Sequence, residues 1–414
     1  MSRGPHPRWR HGVPGGDRGP GQSYRPDLRP PSIYAEHQPG VATPQLDRLA
    51  FVALDVTVER LAQLRELLET ISARARELMS RHNRQSGGDA GRGCGRARTG
   101  ERTALARAGL TVTVGLGPTI FESGGEDRFG LSKVSPVTLR PLPAFNGDAL
   151  DSDLCGGDLC LQVCAHDAGL AEEALADLVA TIRGASVTRW SQRGLLLRRK
   201  GERIDGTPRD VLGFKSGTRN LRRGRDLDRH VWITRNDRTW MLGGTILVVR
   251  RIDVLIDAWR SLHLGAQERI IGRHRDTGAP LHREHEFEAL PLAEHDSGGL
   301  LIPADAHARV AAPEGNDGAV MLRRSYSYDP TDTEPGGPSS SQSLRREAGI
   351  LFLAFQRDPR RQYVPVQRRL ADRDALSAFT RHVGSAIFAI PPGARPGQFL
   401  AEPLFSPRDA SGFR

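Results

Sequence analysis

LDRLAFVALDVT, residues 46–57, runs directly into VERLAQLRELLETISARARELM, residues 58–79, and this junction decides the architecture. The first stretch is a short apolar run of strand length. The second places Leu61, Leu64, Leu67, Leu68, Ile71 and Leu78 at helical spacing, so a strand leads into an amphipathic helix. Thr57, at the end of the apolar run, is the expected N-cap.

Outward from that unit the pattern continues. LTVTVGL (110–116) alternates at strand period and DLCLQVCAHD (158–167) is a further strand. Leu175, Leu178, Val179 and Ile182 mark a helix ended by Gly184, and ASVTRWSQRGLLLR (185–198) is another strand. The order β-α-β-β-α-β is the ferredoxin-like split arrangement, with helices on one face of an antiparallel sheet. A second half repeats it: GGTILVVRRIDVLIDAWRSL (243–262) reads as strand then helix, and MLRRSYSY (321–328) and GILFLAFQRD (349–358) as strands. Leu376, Phe379 and Val383 are expected on a helix, and SAIFAIPP (385–392) on a closing strand. The fold class is α+β, with tandem ferredoxin-like halves at 35–200 and 240–405 joined by a connecting segment, 201–239. Residues 263–318 form a long insert rich in His, charge, Gly and Pro, and such inserts are functional or disordered.

Composition bounds the function. The 414 residues carry a net charge of +10, but seven of those charges fall in two Gly- and Arg-rich tracts, 1–34 and 83–104. Residues 1–34 cannot bury enough apolar surface to offset their ordering entropy and are expected to be a disordered arm, and 406–414 a tail. The basic balance therefore belongs to tails and loops, and nucleic acid is not an expected partner. No run reaches the ~18 apolar residues of a membrane span, and the N-terminus lacks the apolar core of a signal peptide, which makes the cytoplasm the default location. Cys94, Cys155, Cys160 and Cys164 lack paired metal-site spacing; strand alternation puts Cys160 and Cys164 on one buried face.

The chemistry-bearing stretches are GFKSGTRN (213–220) and IPADAHARVAAPEGNDGAVMLRRSYSYD (302–329). With EHQPGVATPQLDRLAFVALDVT, the GGDL at 156–159, GGTILVVRRI, IIGRHRDTGAP, GILFLAFQRD and FAIPPGARPGQFLAEPLF, they resemble the dye-decolorizing peroxidase family in the right order over about residues 36–405. Its closest branch is the bacterial one exported by the twin-arginine route, which includes proteins proposed to take iron from haem; the Arg-Arg pair and apolar segment of that export signal are lacking here.

The resemblance implies two halves of the dimeric α+β barrel type, with one haem b per chain held by the C-terminal half. It implies His307 as the ligand to the haem iron and Arg323 as the distal catalytic cation. Gly217, Thr218, Arg219, Ala312, Pro313 and Glu314 would contact the haem edge. The family's distal motif is Gly-x-x-Asp-Gly, and here Ser216 stands where the carboxylate is expected, framed by Gly213 and Gly217. Arg309 and Arg324 are candidate propionate partners, each equally readable as a solvated surface cation. Ser325 replaces a usual Gly. Asp205 and Asp210 are the nearby carboxylates that could reach the pocket by another route, although solvated loop carboxylates are commoner. Trp232, Trp240, Trp259, Tyr326 and Tyr328 are candidate surface relays for electrons, with a structural role the plainer reading. The implied partners are hydrogen peroxide and an organic electron donor, with homo-oligomerisation left open. The implied function is a haem peroxidase slowed at Ser216; the alternative is a haem-binding or haem-iron-handling protein with little turnover.

Overall fold

A computed structural model describes residues 30–88, 109–222, 224–234, 238–328 and 348–405. Most of the expected arm, the greater part of the 83–104 tract and the tail lie outside these residues. The expected arm ends earlier than residue 34, however. Ile33 is buried in the core, and its carbonyl accepts from the Ala394 amide.

The N-terminal half runs β1 (Arg48–Val56), α1 (Leu61–Gly88), β2 (Thr111–Leu116), β3 (Leu159–Ala165), α2 (Ala168–Thr181) and β4 (Ser186–Leu195). The expected strands and both helices are present. The cap differs: α1 starts at Leu61, where Arg60 accepts the first helical bonds and its own amide donates to Gln63 Oε1. Thr57 instead donates its amide to Ala185 O.

Next come α3 (Gly224–His230), β5 (Thr245–Val254), α4 (Ile256–Ser261) and α5 (Leu264–Ile271), then a two-stranded ribbon of β6 (His295–Asp296) and β7 (Gly299–Leu300). The rest is α6 (His307–Val310), β8 (Leu322–Arg323), β9 (Tyr326–Tyr328), β10 (Gly349–Gln356), α7 (Tyr363–Arg373) and β11 (Thr380–Ile390). The helix expected across Leu376, Phe379 and Val383 is a correction. Residues 375–379 form one 3-10 turn, Val383 lies in β11, and the helix is α7, one segment earlier.

The strands form one antiparallel nine-stranded sheet, in the order β5-β11-β2-β3-β1-β4-β9-β10-β8. A full β5–β10 ladder from Gly349↔Asp253 to Gln356↔Ile246 closes it into a barrel. Alternation then gives the strands covered by helices two buried faces, while β4 keeps an exposed outer face. Inside the barrel, Phe51, Cys160, Cys164, Trp190, Leu247, Phe355 and Phe388 share one cluster, so the two cysteines do lie on one buried face. Outside, Val52, Leu54, Val112 and Val114 pack beneath α1 and α2, and Val248 and Ala354 belong to the same outer cluster. This explains why β2, TVTVGL, is buried at every position.

β8 positions a functional residue. Leu322 points into the barrel cluster, so its neighbour Arg323 projects from the outer face, on the side of the 263–318 insert.

Candidate functional site

His307 opens α6, a single helical turn within the insert. Its Nδ1 lies 2.6 Å from Oδ2 of Asp374, the residue that ends α7. The other carboxylate oxygen of Asp374 accepts the Leu376 amide at 2.9 Å, so the carboxylate is itself fixed. A ring with Nδ1–H donated to a carboxylate presents a basic Nε2 in a set orientation.

Burial alone would lower the pKa of His307, yet the charge and hydrogen bond of Asp374 raise it overall. The side chain nevertheless keeps 34% of its surface open. Arg323 is close enough for its charge to oppose protonation of His307, and its own pKa is lowered first by burial and second by Arg219. Arg273, 7% exposed, is pushed down to about 10 by burial and by the cations Arg219 and Arg323. An imidazole held by a carboxylate, with guanidinium groups whose charge reaches it, is a donor set that would fit haem, a nitrogen for the iron and cations for the propionates.

The GFKSGTRN stretch is the return arm of a small hairpin. Ser216 N donates to Pro208 O at 2.8 Å, Arg209 bridges Lys215, and Asp210 N donates to Phe214 O at 3.0 Å. Gly213 and Gly217, with φ of +86° and +111°, supply left-handed turns that a side chain would strain. Asn220, inside the motif but not singled out from sequence, clamps the backbone of Arg323. Its Nδ2 donates to Arg323 O at 2.6 Å, and its Oδ1 accepts Arg323 N at 2.9 Å.

The two segments expected at the haem edge meet: Arg219 Nη2 lies 2.9 Å from Glu314 Oε1. Thr218 Oγ1 donates to Glu286, which also holds Lys215. Ala312 is buried, and its carbonyl accepts from Asn316. Pro313 opens the 3-10 turn 313–315 that carries Glu314.

The other candidates separate. Arg309 is committed to the carbonyls of Ile302 and Leu292. Arg324 is buried on the side of Cys164 and Tyr326, whose thiol and phenol feel its charge. Ser325 lends its carbonyl to Gln45. Asp205 is exposed and pairs with Arg203. Asp210 is desolvated, and its charge and that of His307 act on each other. The surface-relay expectation fails for every aromatic named: Trp232, Trp240, Trp259, Tyr326 and Tyr328 are all at most 6% exposed.

Asp374 was invisible from sequence because it lies 67 residues beyond His307, just before the helix expected across Leu376, Phe379 and Val383.

Known proteins resemble this chain along both halves. Residues 38–196 match the family model "Dyp-type peroxidase, N-terminal" and residues 207–395 match "Dyp-type peroxidase, C-terminal". The chain is 39% identical over 381 residues to a dye-decolorizing peroxidase of Thermobifida fusca, covering 89% of this chain and 84% of that protein. It is 31% identical over 379 residues to a deferrochelatase of Escherichia coli K12, covering 88% and 84%. Among solved structures, ferric DtpA from Streptomyces lividans superposes with a TM-score of 0.76 at 36% identity, over 92% of this chain and 99% of that one. Both halves match, and at these identities and coverages the chain belongs to the Dyp-type peroxidase family of haem-dependent oxidoreductases that act on peroxide.

Proposed function

We propose that this protein uses hydrogen peroxide to oxidise organic donors of the dye or phenolic class, at a pace set by the residue at position 216. We read the halves 35–200 and 240–405 as two ferredoxin-like units joined by 201–239, with haem held by the second. The orders β2-β3-β1-β4 and β11-β5-β10 support this. The observation that carries the reading is the Asp374–His307 pair, whose imidazole also feels the charge of Arg323.

Haem, when bound, would supply the two-electron redox chemistry that couples peroxide reduction to one-electron oxidation of the donor. The chain supplies the rest. His307 Nε2 would hold the iron, with Asp374 fixing the ring and raising its basicity. Arg323, clamped through its backbone by Asn220, stabilises negative charge on the departing peroxide oxygen. Gly217, Thr218 and Arg219 on one side, and Ala312, Pro313 and Glu314 on the other, would border the haem edge, joined by the Arg219–Glu314 pair. Ser216 can hold a water or peroxide by hydrogen bonds but cannot take up a proton as a carboxylate does. Loss of a general acid–base group is worth ~10²–10⁴ in rate.

A second reading, haem binding or haem-iron handling with little turnover, is favoured by Ser216 itself and by the likeness to deferrochelatase. Haem-loaded protein mixed with peroxide and a dye or phenol separates the two. The peroxidase reading expects peroxide-dependent donor oxidation; a bound, unreactive haem over minutes would leave only the handling reading.

A further inference from the structure

The ion pair between Arg219 and Glu314 joins the two segments that carry the chemistry of the site. Arg219 is the neighbour of Asn220, whose side chain holds both backbone groups of Arg323. Glu314 stands in the 3-10 turn 313–315 that follows α6, the helical turn of His307. Asn316, at the end of that turn, donates to the carbonyls of Val310 in α6 and of Ala312. The pair therefore bridges the Arg323 side of the site to the His307 side.

Each end of the bridge is held from behind. Thr218 Oγ1 donates to Glu286 at 3.1 Å, and Glu286 also binds Lys215 at 2.6 Å, so Arg219 extends from anchored backbone. On the other side the Arg369 guanidinium, from α7, donates to Gly315 O. A Cβ on residue 315 would lie 2.4 Å from Arg369 Nη1, so the missing side chain gives the guanidinium its seat.

The contact itself is a fork. Arg219 Nη2 lies 2.9 Å from Glu314 Oε1 and Nη1 lies 3.3 Å from Oε2. The guanidinium holds the Glu314 carboxyl below its ordinary range despite partial burial. Both side chains stay open to water, 38% and 53% exposed. An exposed pair adds little to the stability of a fold, but a bidentate one between two anchored segments closes at small entropic cost and opens without disturbing what lies behind it. Such a contact suits a catch better than a brace.

We propose that the Arg219–Glu314 pair is a clasp over the edge of the cofactor slot, and that its opening sets the rate at which haem enters and leaves the protein. This rests on the reading that haem is held between His307 and Arg323, with its edge at 217–219 and 312–314. A flat tetrapyrrole so held passes that edge only when the fork is broken. A clasp differs from a haem contact in its kinetics: it slows entry and exit alike and leaves affinity to His307 and the inner cations. Because both groups face solvent, salt loosens the clasp, whereas the buried partner of His307 is screened far less.

The experiment follows haem in both directions on the full chain: uptake after rapid mixing, and loss from the haem-loaded protein to excess apomyoglobin. At low ionic strength Glu314→Gln and Arg219→Gln are each expected to speed uptake and loss alike by ~3–5-fold, with the ratio of the two rates and the histidine-ligated ferric spectrum unchanged. The charge-swapped double variant, Arg219→Glu with Glu314→Arg, should return both rates to within about twofold of the wild type. Raising salt from ~20 mM to ~0.5 M should speed exchange in the wild type but not in Glu314→Gln. Faster loss with unaltered uptake in Arg219→Gln would make Arg219 a direct haem contact and overturns the proposal. Normal haem uptake with rates indifferent to both single substitutions removes the clasp and leaves the pocket reading standing, while a wild-type chain that takes up no haem removes both.

Discussion

The two carboxylates whose charge reaches His307 are unequally satisfied by their surroundings. Asp374 has an imidazole and an amide to satisfy it, and its task is to orient. Asp374→Asn should retain the fold but weaken haem binding by ~10–100-fold, read by haem transfer to an apo-acceptor. For Asp210 burial outweighs the Leu212 amide that it accepts, and its folded pKa of about 6 lies above the unfolded 3.8. A carboxylate so raised destabilises the folded state where it must ionise. The penalty is complete above pH 6 and disappears as pH falls through the folded value toward the unfolded one. The full shift corresponds to roughly 3 kcal/mol, and residual solvent access reduces this to ~2 kcal/mol. Asp210→Asn is therefore expected to be more stable than the wild type by that amount at pH 8 and no more stable near pH 4, by denaturant titration. Equal gains at both pH values would mean that the carboxylate is not ionising inside the fold.

At the scale of elements, the site depends on contacts between segments remote in sequence. Asn220 behaves as one residue of an edge strand, pairing both backbone groups of Arg323 across 103 residues. Asn220→Ala leaves a part-buried amide and carbonyl unpaired and should cost ~1–3 kcal/mol in urea unfolding. It should also slow peroxide consumption more than it weakens haem binding, because the guanidinium is displaced while His307 is not. These contacts mark the limit of what the sequence discloses. Strands such as β1 and β10 are legible because two buried faces demand continuous apolar runs, and α1 because its leucines recur every three or four residues. The spacing of Leu376, Phe379 and Val383 imitates a helix, but Asp374 caps a short 3-10 turn and the chain then extends along β5. The true helix, α7, carries Pro365 within its first turn and a largely polar sequence, so its periodicity is faint. The motif glycines, His307 and Arg323 stand out by type and order. Asp374, Asn220 and the desolvation of Asp210 emerge only when the chain closes on itself.

At the scale of the molecule, the sheet closes through two unequal seams. Between the halves, β2 meets β11 at the single pair Ala389↔Leu116, and β4 meets β9 at Leu195↔Ser327, whereas within the second half β5 pairs with β10 and β11 along nearly their whole lengths. Few ladder hydrogen bonds cross the seams, yet the interior cluster draws Phe51 and Trp190 from the first half against Phe388 from the second, with Phe51–Phe388 centroids 6.2 Å apart. Side-chain burial, more than backbone pairing, therefore holds the halves together. Residues 35–200 expressed alone would expose both the edges of β2 and β4 and the aromatic inner face, a combination that invites edge-to-edge association. The expected outcome is an aggregating or dye-binding fragment that becomes monodisperse when residues 201–405 are supplied in trans. A stable, monomeric fragment with a cooperative melt would show instead that the barrel interior is dispensable for each half. Gly115 tests the same seam in the intact chain. A Cβ there would lie 2.6 Å from Ile390 Cδ1 and 2.7 Å from Cys160 Sγ, inside the barrel where neither can retreat to solvent. Gly115→Ala should therefore cost ~1–3 kcal/mol by overpacking, with the loss appearing in one unfolding transition of the whole chain rather than in a transition of the N-terminal half alone.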